Sequence, residues 1–199
     1  MKSNNKMKSN NKRLAEIFGT HAVHAALQNP SRKHEKLFIS HQQRKILGKS
    51  IENLVSDINE LHNKEMFKMF GNESTHQGIV LRTSKLQQPS LQEFINDTYK
   101  NKTDVVVMLD QVTDPNNIGS IMRSCSLFNS KSIIVSNDNA PDVTATMAKA
   151  ASGALESVNY ISVVNLSRAM IQFKKNNYWI YGFDSNKNKN KNKNLDLPK

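Results

Sequence analysis

The chain has 199 residues, and 28 Lys and Arg stand against 17 Asp and Glu, for a formal charge of +11. Its longest unbroken apolar run, Val105–Leu109, is far below the roughly 20 residues that cross a bilayer, no apolar segment follows the basic N-terminus as in a secretory signal, and the single cysteine, Cys125, has no partner for an internal disulfide. Membrane-spanning, secreted disulfide-rich, collagen-like and coiled-coil classes are excluded, and a cytoplasmic, thiol-bearing protein is expected.

Residues 1–13 (MKSNNKMKSNNKR) repeat one hexapeptide and hold five basic groups and no acid. Residues 185–199 alternate Asn with Lys and hold five basic groups and one acid. Both segments are too polar to offset their ordering entropy and are expected to be disordered tails. Removing their ten basic groups and one acid leaves 18 and 16 in residues 14–184. The high pI of about 9.7 is therefore mostly a property of the ends, which would be drawn to polyanions.

Residues 14–84 read as a small α/β unit. Gly19 precedes the apolar spacing Val23, Ala26, Leu27, a helix ended by Asn29-Pro30. Leu37-Phe38-Ile39 reads as a buried strand. Ile46, Ile51, Leu54, Val55, Ile58 and Leu61 keep helical spacing, with Gly48 as a possible break. Met66, Phe67, Met69 and Phe70 form an apolar cluster closed by Gly71, and Gly78–Leu81 is a further strand. Residues 85–103, with Pro89 and the amphipathic Leu91–Tyr99, are expected to be a mobile linker between separate units.

From residue 104 strands and helices alternate. Val105–Leu109, Ile133–Val135, Tyr160–Val164 and Tyr178–Tyr181 read as strands. Ile118–Phe128, Val143–Ala151 and Ser167–Lys175 read as helices. That order predicts a parallel α/β sheet. Four strands are few for such a sheet with both faces covered.

Ligands of open α/β sheets bind outside the carboxyl ends of the strands, and the first such end here is the most informative stretch. Asp114-Pro115 stops the strand, and Asn116 or Asn117 is placed to cap the next helix. Gly119 leaves room for another backbone or a ligand, and Arg123 stands about 40° from it. Asn offers a donor and an acceptor, and Arg a planar fork suited to phosphate. Such a constellation also occurs without catalytic meaning, so spacing alone leaves both readings open. There is no dinucleotide fingerprint and no P-loop.

The segment Leu109–Arg123, D-P-x-N-x-G-x-x-x-R, resembles the first motif of the SpoU (TrmH) family of RNA ribose 2′-O-methyltransferases, with 23S rRNA guanosine enzymes as the nearest type. Phe18–Val23 and His76–Val80 resemble the opening and last strand of that family's RNA substrate-binding domain, and Ala151–Glu156 its S-x-G-A segment. The resemblance implies a ribosomal-protein-like RNA-binding domain over 14–84, a linker over 85–103, and over 104–184 the first part of a SPOUT-type methyltransferase domain. It implies S-adenosylmethionine as donor, RNA as partner, homodimers, and Asn117 and Arg123 as the catalytic pair. A free guanidinium is a poor base, so Arg123 is read as gripping a phosphate beside the target ribose.

The family's G-x-E-x-x-G and I-P…S-L-N-V segments do not occur in the sequence. They carry the family's knot and cofactor pocket, so no cofactor-binding residue is assigned. The expectation is a shortened reading frame, inactive by itself. The alternative is a non-catalytic RNA-binding module.

Lesser candidates keep plainer readings. His21 and His24 lack further ligands at metal spacing, so no metal site is assigned. Asp110 and Asp114 are read as turn formers rather than magnesium ligands. Cys125 is read as a small buried residue. Tyr178, Trp179 and Tyr181 are read as core of a last strand rather than as stacking platforms.

Overall fold

A computed structural model describes residues 14–72, 76–98, 105–138 and 140–183. The two ends (1–13 and 185–199) and the later part of the linker lie outside those residues.

The first sheet has the order β1-β4-β2-β3. β1 (Leu14–Phe18) and β2 (His34–Ser40) lie on either side of β4 (Ile79–Ser84), both antiparallel to it. β3 (Ile58–Leu61) runs parallel to β2, with Ser40 opposite Leu61. Helix α1 (Thr20–Gln28) buries Val23, Ala26 and Leu27, the stripe predicted from spacing, together with Ala22. Two strands went unread in the sequence. β1 is only five residues long with Glu16 at its centre, and β3 sits where helical spacing was expected to continue to Leu61. After α2 (His41–Leu47), Gly48 adopts φ +67 and a 3-10 turn over Lys49–Asn53 ends the helical path. The chain then pairs with β2, and long-range pairing overrides local periodicity.

Period-2 alternation assigns the faces of this sheet. Phe38 and Val80 point to α3 (Asn63–Phe70) and pack with Met66 and Phe70. Leu37, Ile39, Ile79 and Leu81 point the other way. The expected apolar cluster on α3 is divided: Met66 is buried, while Phe67 and Met69 are exposed.

The second sheet is parallel, β5-β6-β7, formed by Val106–Leu109, Ser132–Ser136 and Asn159–Val163. It carries α5 (Pro115–Leu127) and α6 (Ala145–Ala150) on one face, and α4 (Leu91–Thr98) and α7 (Leu166–Lys175) on the other. β5 is a half-buried edge strand, with Val107 and Leu109 packed on one face and Val106 and Met108 on the other. Tyr178–Tyr181 is not a strand. Tyr178 and Ile180 turn inward, Tyr178 against Phe173 with ring centroids 5.0 Å apart, and Trp179 is 86% exposed. No sheet edge takes this segment up, so its β-propensity is unused and Trp179 is not core.

The expectation of two separately packed units is corrected by the core. One apolar cluster joins Ile17, Leu37, Ile39, Ile79 and Leu81 of the first sheet to Ile118, Met122, Ile133, Val135 and Met147 of the second half, with α1 between them. The start of the linker is packed as well. Phe94 and Ile95 of α4 are buried against Ile134, Ile161 and Phe173, and Gln88 Oε1 accepts the Tyr160 N–H at 2.8 Å.

Tyr160 gives this packing a pH signature. Burial, then the nearby Asp142 carboxylate, push its phenol up to about 12, and its hydroxyl donates to the Pro141 carbonyl at 3.0 Å. In the unfolded chain a tyrosine titrates near pH 10. Above that pH the unfolded state loses the proton first, so the stability this group contributes is complete below about pH 10 and lost as pH rises through about 12. Urea titrations across that window should show Tyr160→Phe with a flatter fall of stability with pH than the parent.

Candidate functional site

The carboxyl end of β5 leads through Asp110 and Gln111 (φ +57) to α5. The cap is Asp114, whose carboxylate accepts the Asn116 N–H at 3.0 Å, with Pro115 as first helical residue. The cap is neither Asn116 nor Asn117, the two residues that the sequence offers for it. Proline has no N–H to satisfy and a φ suited to the first turn, so the residue before it takes the capping role. Asn117 is therefore inside the first turn rather than in a loop.

Ile118, Gly119, Met122 and Cys125 form the buried face of α5. A Cβ on Gly119 would lie 2.6 Å from Ala150 Cβ and 2.6 Å from the Met147 carbonyl. Gly119 thus lets α5 and α6 touch backbone to side chain, the first of the two uses read from the sequence. Burial pushes the Cys125 thiol up, against a smaller lowering from the Ser130 hydrogen bond.

Asn117 and Arg123 are both exposed. Six residues apart, they lie about 120° from each other around the helix and about 9 Å along it. Among the described residues neither has a hydrogen-bond or ion-pair partner in the structure, so an amide and a guanidinium fork stand free on the flank of α5. The fold does not bring them into contact. Asp110 is also exposed, and His21 and His24 face solvent on α1.

The three other family-like segments converge at the seam between the halves. Thr20 N–H, at the start of α1, donates to Gln77 Oε1 at 3.0 Å. Gln43 Nε2 donates to Thr20 Oγ1 and to the Gln77 carbonyl. Gln77 holds φ +54, and the turn around it is locked by the buried His76, whose Nδ1 accepts the Gly78 N–H at 2.9 Å. Gly153 (φ +95) faces α1 so closely that a Cβ would lie 2.8 Å from Ala25 Cβ.

Beside that contact lies the strongest polar tie across the seam. Arg32 donates from Nε and Nη2 to the two oxygens of Glu156 at 2.8 and 2.7 Å, and from Nη1 to the Ser84 carbonyl at 2.7 Å. Asn29 Nδ2 donates to the same carboxylate. The side chains of Arg32 and Glu156 are 2% and 10% exposed. Sequence reading quoted Glu156 within its segment but missed Arg32. Their separation by 124 residues hides the pair from any local pattern.

Residues 17–89 match the family model described as RNA 2′-O ribose methyltransferase substrate binding. Residues 104–199 match that of the SpoU rRNA Methylase family. An "Uncharacterized tRNA/rRNA methyltransferase" of Synechocystis sp. is 30% identical over 176 residues, covering 86% of this chain and 46% of that protein. The 23S rRNA (guanosine-2′-O-)-methyltransferase RlmB of Escherichia coli (strain K12) is 32% identical over 169 residues, 83% of this chain and 70% of that one. Among solved structures, the SpoU methyltransferase AviRb from Streptomyces viridochromogenes in complex with AdoMet aligns with TM-score 0.60 at 18% identity, over 85% of this chain and 63% of that chain. An AdoMet-bound rRNA methyltransferase from Sinorhizobium meliloti gives TM-score 0.60 at 19% identity, over 83% and 61%. At such identities the structural likeness speaks to the fold. The chain spans about half the length of the Synechocystis protein and about three fifths of these solved chains.

Two substitutions test the seam by chemical denaturation. Arg32→Ala strands the Glu156 carboxylate in a buried site and should cost about 3–5 kcal/mol, whereas replacing both Arg32 and Glu156 by methionine should cost far less. Gly119→Ala pushes against a backbone carbonyl that cannot swing aside and should cost about 1–3 kcal/mol.

Proposed function

The chain belongs to the SpoU rRNA methylase family, and from that premise we propose that it serves methyl transfer to a ribose 2′-hydroxyl of RNA, with a guanosine of 23S ribosomal RNA as the first substrate to test. The observation that carries this reading is the exposed Arg123 fork, on the same helix as Asn117, the helix that follows the first strand of a parallel sheet. Arg123 matches a phosphate in shape and charge. With a phosphate held there, the neighbouring ribose is restrained and its hydroxyl oriented, which is where a positioning residue contributes to rate. Asn117, a donor and acceptor nearer the strand end, holds the reacting sugar from the other side. Residues 14–84 present the RNA, and the chain works as a cytoplasmic homodimer. No helix among the described residues is long and apolar enough to cross a membrane.

The donor in this reading is S-adenosylmethionine. The described residues do not fit it by themselves. Asp110, Thr113, Asp114 and Asn116 are exposed at the strand end and offer no apolar wall for an adenosine. Two clefts among the described residues lie elsewhere, at Asn96 with Lys175–Asn177 and at His41 with His62. This observation favours a second reading, an RNA-binding module without catalysis.

Calorimetry of the 199-residue chain against S-adenosylmethionine registers binding if the chain completes a methyl-transfer site and none if it is the RNA-binding module alone. RNA binding should survive, and Arg123→Ala should weaken it and lower the slope of log affinity against log salt by about 0.7–0.9, the share of one phosphate contact. Methyl incorporation into 23S rRNA that disappears in Arg123→Ala would select the enzyme over the binding module.

A further inference from the structure

The geometry points to a subsite for one unpaired RNA nucleotide at the far end of the first sheet, in the cleft lined by His41 and His62. It rests on the reading of residues 14–84 as the RNA-presenting half and gives that half a specific contact. β2 and β3 run parallel and end together at the pair Ser40 and Leu61. Each feeds a helix that leads away, α2 from His41 and α3 from Asn63. A crevice opens between them, of the kind that holds ligands outside the carboxyl ends of parallel strands.

Its volume is about 460 Å³, and it is lined by His41, Gln42, Leu61, His62, Asn63 and Lys64. That size lies within the range of small-ligand clefts. The two imidazoles meet edge to face with centroids 4.9 Å apart. His41 is oriented by its hydrogen bond to Glu60, and the His62 backbone N–H by the Glu65 carboxylate at 3.0 Å. Both rings are nevertheless exposed. One turn along α3, Phe67 is 61% exposed on the side of Asn63 and Lys64.

Ring faces with an apolar floor at Leu61, two carboxamides and an ammonium on the rim suit a nucleobase with its phosphate. Unstacked bases of single-stranded RNA stack on such rings, and the amides reach their edges. A base inside a duplex is already stacked and paired and would not enter.

The test is a titration of the full chain with a mixed-sequence single-stranded RNA hexanucleotide, followed by the imidazole C–H resonances of the six histidines. The His41 and His62 signals should move, and a blunt duplex of the same sequence should leave them in place. The double variant His41→Ala, His62→Ala should bind the single strand about tenfold more weakly at unchanged circular dichroism, and Phe67→Ala more weakly by a smaller factor. RNA binding that moves other histidines and leaves His41 and His62 unmoved would overturn the subsite while the RNA reading stands. Absence of binding to any RNA would overturn both.

Discussion

Arg32 carries a permanent charge into a site where its side chain is 2% exposed. A charge there is tolerable only if its donors are met, since desolvating an ion costs several kcal/mol that a poor partner does not return. The bidentate Glu156 carboxylate and the Ser84 carbonyl meet them. These acceptors come from opposite halves: Ser84 ends the first sheet, and Glu156 lies in the turn before β7. Apolar surfaces can slide over one another at little cost. A forked guanidinium bond cannot, so this contact selects one mutual arrangement of the halves.

The rest of the seam makes that arrangement possible by removing side chains. Gly153 against Ala25 and Gly119 against Ala150 are contacts in which an added methyl has nowhere to go. They draw α1, α6 and α5 into one layer between the sheets and hold the start of α5 at the carboxyl end of β5. Asn117 and Arg123 then project from a helix whose buried face is clamped, which gives two exposed polar groups a defined orientation. The side chains proposed to bear on function thus stand at the surface, and the residues that aim them are small or buried.

The legible parts of the sequence were those where one local signal dominated. The stripe on α1, the continuous apolar runs of β4 and β6 and the β-α-β order of the second half all follow from local hydrophobic pattern. The misreadings share another cause. Ile58–Leu61 keeps helical spacing and is a strand because β2 offers a parallel edge. Tyr178–Tyr181 has strand composition and is not a strand because no edge receives it. Asp114, rather than an asparagine, caps α5 because Pro115 shifts the helix start by two residues.

The sequence by itself determined the family, through four ordered motifs, and with it the α/β class, the strand-end position of Asn117 and the Arg123 fork. Short-range patterns suffice for these, since spacing along one helix or strand is a property of neighbouring residues. Only the tertiary structure decided that the halves share a core, that Arg32 meets Glu156 across 124 residues, and that His41 and His62 meet edge to face beside a cleft. Those contacts depend on which surfaces close when the chain folds back on itself. That choice is made by burial and pairing summed over the whole molecule, and no local window contains it.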